Sequence, residues 1–197
     1  MKKYIFIFIT AAVILTMIIS NYACSPSSAV RQSQSPQQPL QQPSEEINGA
    51  FGYRFGDLPD KSKIIRETKC NNPILFEAYQ VQPKLKNREL DSYTVRICKR
   101  TKIINNIMGH KIFDSRDQAM ELFQKVKPHI EQKYGPFTEP KYLKEDSYAE
   151  TIINKTSSVS LIVTTVPKIE GTKWMFAMLY NNIALERQCE SSSRPRW

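Results

Sequence analysis

The clearest hydrophobic pattern in the chain lies between residues 115 and 134. Apolar side chains recur there at steps of three and four residues, which places them on one face of an α-helix. These side chains are Ala119, Leu122, Phe123, Val126, Ile130 and Tyr134. A helix with such a stripe is expected to pack its apolar face against a sheet or another helix.

Both ends of this helix are also specified. Ser115 and Gln118 have the spacing of a capping box, and the Gly135-Pro136 pair is a typical stop signal. The pattern therefore predicts one long helix from Ser115 to Tyr134. Pro128 lies inside it and removes a backbone hydrogen bond, so we expect a kink there or two helices that meet there.

Alternating apolar residues on both sides of the helix predict β-strands. The predicted strands cover residues 75–81, 92–98, 102–108, 149–154, 159–166 and 173–181. The first two should form a hairpin in which Val81 lies opposite Ser92. The last strand is apolar on both faces, so it should be central and covered by the helix on one side. Together these elements predict an α+β domain with an antiparallel sheet of about five to six strands, packed by one long helix.

The domain should begin near Ile47 with one more strand. Phe51, Tyr53 and Phe55 alternate with glycine and arginine, which predicts a strand with one aromatic face. The glycines do not have the spacing of a phosphate-binding loop, so a nucleotide is not expected. Residues 58–73 are charged and contain two prolines, and we predict a loop there with one helical turn near residues 62–66.

The first 23 residues have a different pattern. Lys2 and Lys3 precede an apolar run over residues 4–19, and small or polar residues follow. This order is the layout of a bacterial secretory signal. The run is shorter than the roughly 20 residues that span a bilayer, so we expect export and cleavage rather than a permanent membrane helix.

The end of this segment, Ala23-Cys24, resembles the signal of a bacterial lipoprotein, in which the cysteine is lipidated and becomes the mature N-terminus. The match is partial, because Asn21 and Tyr22 stand where that family prefers leucine and a small residue. The resemblance implies lipidation of Cys24 and a periplasmic protein attached to the membrane by the lipid. Ordinary cleavage, after Ala23 or at residues 27–29, is the open alternative.

Composition divides the remaining chain into a spacer, a domain and a tail. Residues 24–46 are rich in proline, glutamine and serine and have too few apolar side chains for a core, so they should form a linker. Residues 47–190 should form a single domain, and residues 191–197 a disordered tail. The opening of this domain and the Gln-Lys-Tyr-Gly sequence that ends the helix resemble small uncharacterised exported bacterial domains, a resemblance that implies no activity.

Positive charge is concentrated in one stretch. Of the formal net charge of +9, residues 61–111 contribute +8, from 12 Lys or Arg against four acidic residues. We predict a basic patch that contacts an anionic surface, either lipid headgroups or other envelope phosphates. The predicted patch consists of Lys63, Arg66, Lys69, Lys99, Arg100 and Lys102. The alternative is a solvated face that keeps the domain soluble, and nucleic acid is not expected as a partner after export.

The cysteines fit an oxidising compartment, where they should form one disulfide, or two if Cys24 is not lipidated. The predicted hairpin puts Cys98 beside Leu75, and Pro73 can turn Cys70 back towards it. We therefore predict a Cys70–Cys98 disulfide, with Cys189 as an alternative partner for either cysteine.

Catalytic signals are weak. The two histidines, His110 and His129, belong to no recognised motif, and the cysteines do not have the paired spacing of metal ligands. We therefore expect no catalytic residues, no metal and no cofactor. The sequence favours a non-enzymatic exported module of the cell envelope that binds an envelope component or a partner protein. The alternative is an exported inhibitor or immunity-type protein that blocks a periplasmic enzyme, and a small hydrolase is a third candidate.

Overall fold

The computed structural model describes residues 45–138, 141–144, 146–166 and 172–192. The predicted signal segment, Cys24, the linker up to residue 44 and the tail from residue 193 lie outside the described residues.

The described residues form ten strands, two α-helices and one 3-10 turn (Lys61–Lys63). In chain order the elements are β1 (Gly49–Ala50), β2 (Tyr53–Arg54), β3 (Ile64–Thr68), β4 (Phe76–Val81), β5 (Ser92–Cys98), β6 (Ile104–Phe113), α1 (Arg116–Tyr134), β7 (Lys141–Lys144), β8 (Ser147–Ile153), β9 (Ser157–Val166), β10 (Lys173–Asn182) and α2 (Ile183–Ser192).

One antiparallel sheet of eight strands organises the fold, in the order β3-β4-β5-β6-β10-β9-β8-β7. Each half of the sheet is a meander, one before α1 and one after it, and the two halves meet where β6 pairs with β10. The predicted α+β class and antiparallel sheet are confirmed. The sheet has two more strands than the upper prediction because β3 and β7 are short edge strands, whose backbone pairing leaves little trace in the hydrophobic pattern.

The predicted hairpin register was wrong by one residue. Val81 lies opposite Tyr93, and Phe76 lies opposite Cys98. Val81 and Tyr93 are both buried on the α1 side of the sheet, whereas Ser92 faces the other side. Because side chains alternate between the two faces, only the observed register puts the apolar residues of both strands into the same core.

The predicted long helix is present, but α2 is a second helix that the hydrophobic pattern did not predict. Ser115 Oγ accepts a hydrogen bond from the Gln118 N–H at 3.3 Å, and Gly135 ends the helix with a φ of 95°. All six residues of the predicted stripe are buried. α1 continues through Pro128 as one helix, so the alternative of two helices was wrong. It lies across β6, β10 and β9, and Phe123 meets Phe176 of β10 edge to face.

The aromatic strand expected near residue 51 does not form. β1 and β2 are two residues each, and Phe51 and Gly52 form the turn between them with φ values of 53° and 82°. Two positive φ angles give a two-residue hairpin turn that matches the twist of the strands. Phe51 instead packs into the core against Tyr93 and Tyr180. The hairpin thus covers part of the sheet on the same side as α1.

The second helix, α2, follows β10 directly and lies on the opposite side of the sheet from α1. It is held by a disulfide from Cys189 and by an ion pair between Arg96 and Glu186 at 2.6 Å. Asn181 donates a further hydrogen bond to Glu186 at 2.7 Å. Residues 191 and 192 of the predicted tail belong to the last turn of α2.

Replacing Phe123 by alanine should lower the free energy of unfolding by about 3 to 5 kcal/mol, because the ring is fully buried between α1 and the sheet. Urea denaturation monitored by circular dichroism measures this change. Gln124→Ala is the matched control, since the neighbouring glutamine is exposed on the same helix and should change stability by less than about 0.5 kcal/mol. Equal losses for the two variants would contradict the observed face of the helix.

Candidate functional site

The six residues of the predicted basic patch do not lie together. Lys69 and Lys99 line one groove of about 500 Å³ beside Phe76, at the end of the sheet that carries the disulfide. Lys63 lies at the other end of β3, where its carbonyl accepts from the Gln82 N–H. Arg66 lies between them on the edge strand, and its Nε donates to Gln80 Oε1 at 2.7 Å. The patch is therefore split along the edge of the sheet.

Two of the six residues also have contacts within the domain. Lys102 Nζ lies 3.1 Å from Glu77 Oε1, and the Arg100 guanidinium donates to the Ser192 carbonyl at the end of α2. The Lys69–Lys99 groove is itself lined by Glu67 and Glu77, which offset the positive charge. Binding to an anionic surface stays a prediction, and the structure offers a smaller and less basic surface for it than the sequence suggested.

The predicted Cys70–Cys98 disulfide was wrong. Cys98 is bonded to Cys189 of α2 with a Cα–Cα distance of 5.9 Å, and Cys70 is a free thiol. The Cys70 thiol donates to the Phe76 carbonyl at 3.3 Å, on the β3 side of β4. Cys98 pairs with Phe76 from the β5 side. Two strand spacings amount to about 9.5 Å, which is too far for a disulfide without backbone movement.

Two titratable side chains near α1, His129 and Glu150, have structural contacts. His129 is exposed on α1, and its Nδ1 lies 3.1 Å from the Lys125 carbonyl. Glu150 is buried beneath α1, where it pairs with Lys127 at 2.6 Å and accepts from the Tyr148 hydroxyl. Within the described ranges, no group of three or more His, Cys, Asp or Glu residues is arranged to hold a metal ion. In those ranges there is also no helix long and apolar enough to cross a membrane.

The face of the sheet opposite α1 has an unusual composition. We define the open face as the side chains that point away from α1 on β5, β6, β10, β9 and β8, in three rows across the strands. They are Ser92, Thr94, Met108, His110, Ile112, Met175, Ala177, Leu179, Ser160, Ile162, Thr164, Ser147, Ala149 and Thr151. None of these 14 is Lys, Arg, Asp or Glu, although 24% of the chain is charged and about three would be expected.

Most of the open face is accessible. All its members are partly exposed except Ala149 and Ala177, and Ile112 is 43% exposed. Ion pairs lie at its rim: Arg96 with Glu186 under α2, and Lys173 with Asp114 at the opposite end. An uncharged centre with a charged rim is the arrangement seen in protein–protein interfaces.

The hydroxyl groups of the open face are largely bonded to each other. Thr151 Oγ1 and Ser160 Oγ lie 2.9 Å apart, and Ser147 Oγ and Thr164 Oγ1 lie 2.7 Å apart, each across neighbouring strands. Ser92 Oγ accepts from Gln80 Nε2 at 3.0 Å. These groups keep their hydrogen bonds when water leaves. The free-energy cost of removing water from the open face when a partner docks is therefore small.

His110 is the one titratable group on the open face. It lies on β6 between Ser92 and Ala177, and its Nδ1 is buried with no hydrogen-bond partner in the described part of the chain. Burial lowers the pKa of His110 below its ordinary value of 6.5, and the opposing effect of the Asp91 charge is smaller. The ring is therefore neutral at neutral pH, and the open face carries no charge there.

The sequence reasoning placed the site in the loops and missed the open face. Only β10 was predicted to be apolar on both faces, and no binding role was assigned to its second face. The available signal was the shortage of charge on the alternate positions of five strands, which an ordinary solvated antiparallel face would not have.

We expect non-reducing peptide mapping to link Cys98 to Cys189 and to leave Cys70 free. Removing this bond with Cys189→Ser should lower the free energy of unfolding by up to about 4.6 kcal/mol, because the bond closes a loop with a sequence separation of 91. Cys70→Ser is the matched control and should change stability much less. A Cys70 disulfide in the map would contradict this connectivity.

Acid should destabilise the fold through His110. The folded protein holds the ring neutral to a lower pH than the unfolded chain does, so below 6.5 the unfolded chain binds more protons. This penalty is absent above 6.5 and grows as the pH falls below it. As the pH falls from about 7.5 to about 5.5, wild type should lose more stability than His110→Gln does. Parallel pH curves for wild type and His110→Gln would contradict the assignment.

No protein-family model, curated protein or solved structure matches this chain. Its function has to be inferred from the geometry and chemistry of the domain. Of the surfaces described, the open face has the composition most typical of a binding surface.

Proposed function

We propose that this chain is a non-enzymatic binding module of the bacterial cell envelope, exported by residues 1–23 and attached to the membrane where Cys24 is lipidated. It binds a partner protein through the open face. The observation that carries this proposal is the absence of charged residues from all 14 positions of that face.

Two physical arguments support a protein as the partner. The centres of protein interfaces are depleted in charged residues and enriched in methionine, and the open face contains Met108 and Met175. Methionine is flexible and polarisable, so it adapts to an irregular partner surface. Burial of apolar area stabilises a complex by about 25 cal/mol per Å². A partner that covers the open face would gain part of this free energy.

The exported inhibitor is the second candidate, and one loop favours it. Residues 82–91 join β4 to β5, and Leu85 projects from this loop with 70% of its surface exposed. The backbone N–H groups of Lys84 and Leu85 both donate to the Phe51 carbonyl, which fixes the loop on the β1–β2 hairpin. A fixed apolar side chain next to lysines could enter the active-site cleft of an enzyme whose cleft is lined by acidic residues. A small hydrolase has the least support, because His129 contacts the Lys125 carbonyl and Glu150 is paired with Lys127 and bonded to Tyr148.

The test is photo-cross-linking in a living Gram-negative bacterium that produces the full chain. A photoreactive amino acid at Leu179, on the open face, should give a discrete adduct in the envelope fraction. The same amino acid at Gln124, which is exposed on α1, is the matched control and should give none. The Leu179 adduct should disappear in a chain that also carries Met108→Glu, because a charge on the open face opposes docking.

Two other results would contradict the proposal. An adduct from Leu85 but not from Leu179 would favour the inhibitor, and no adduct from either position would remove the binding function of both surfaces. The mass of the recovered chain tests export in the same experiment. A chain that retains Met1 would contradict cleavage, and a chain that begins at an unmodified Cys24 would contradict lipidation.

A further inference from the structure

We infer that the partner of the open face is a second copy of this chain, so that two sheets pack face to face in a homodimer. The inference rests on the proposed function, because it names the partner of the same surface. Three features of the open face support it: its charge, its symmetry and its area.

Charge favours a second copy over an acidic partner. Removal of residues 1–23 takes away Lys2 and Lys3 and leaves a net charge of +7 on each mature chain, from +9 minus two. The net charges of two such chains repel each other, and the open face adds no like-charge contacts to that repulsion because its positions carry no charge. An acidic partner would instead be drawn to the lysines of the sheet edge and loops, such as Lys63, Lys69 and Lys84.

The open face is also arranged for two-fold packing. β10 is the third of its five strands, and Ala177 lies in the middle row of that strand between Met175 and Leu179. Consider a two-fold axis that lies between the two sheets, parallel to them and at right angles to the strands, and that passes over Ala177. It brings Met175 of each copy against Leu179 of the other. The small side chain of Ala177 lets the sheets approach to the usual separation of about 10 Å, with the longer side chains filling the space between them.

The area of the open face indicates a weak dimer. Five strands at a spacing of about 4.8 Å and three outward rows at about 6.7 Å cover about 500 Å² per copy, or about 1,000 Å² in total. Specific interfaces bury about 1,200 to 2,000 Å², so this contact lies at the weak end and should dissociate in the micromolar range. A lipid at Cys24 would confine the copies to one membrane and raise their effective concentration.

Sedimentation equilibrium of the full chain after export, from about 1 µM to about 1 mM, should show a reversible monomer–dimer equilibrium. Met175→Glu and Leu179→Lys should each weaken self-association at least tenfold, because each puts a charge into the centre of the interface. An equimolar mixture of the two variants should dimerise again, since the axis places position 175 of one chain against position 179 of the other and the two introduced charges attract each other. Gln124→Glu, on the exposed side of α1, is the matched control and should dimerise like wild type.

The possible failures are distinguishable. If Met175→Glu fails to fold, Ile112→Glu repeats the test at a position that is already 43% exposed. A wild-type chain that stays monomeric at about 1 mM, or dimers that ignore these substitutions, would overturn the inference. If the Leu179 cross-link then joins the chain to a different protein, the proposed function stands and only the second copy is rejected. If Leu179 gives no adduct at all, the proposed function falls as well.

Discussion

The pairing of β6 with β10 is the interaction on which the rest of the structure depends. These strands come from the two halves of the chain, and their ladder runs from Phe113 opposite Trp174 to Asn106 opposite Asn181. It turns two meanders of four strands, each with little core of its own, into one wide sheet. α1 connects the two halves and lies across this seam, where Phe123 and Phe176 meet. Weakening the seam would therefore expose the core on both sides of the domain.

Coverage of the sheet is unequal, and the proposed function follows from that inequality. α1 and the β1–β2 hairpin cover one side, whereas α2 covers only one end of the other. The Cys98–Cys189 bond and the Arg96–Glu186 ion pair hold α2 at that end, so the open face is bounded by a fixed element. A surface that is preorganised in this way loses little conformational entropy when a partner docks.

Charged residues are distributed unevenly between the periphery of the sheet and the open face. Several basic residues lie on the edge strand and in the connections at the ends of the sheet, and some of these have acidic or carbonyl partners, as Lys102 does with Glu77. The middle of the open face has no charge, and the partly exposed His110 is neutral at neutral pH. The charged residues at the periphery thus keep the domain soluble. The uncharged centre of the open face remains suited to contact with another protein.

The sequence by itself determined the elements with strong local signals. The α1 stripe, its Ser115 cap and its Gly135 stop follow from helical periodicity and capping, which act over four residues. The central position of β10 follows from its two apolar faces. Tertiary structure decided what depends on distant residues: the edge strands β3 and β7, the partner of Cys98, and the separation of Lys63 from Lys69. The open face belongs to this second group, because its 14 members come from five strands that only the folded sheet brings side by side.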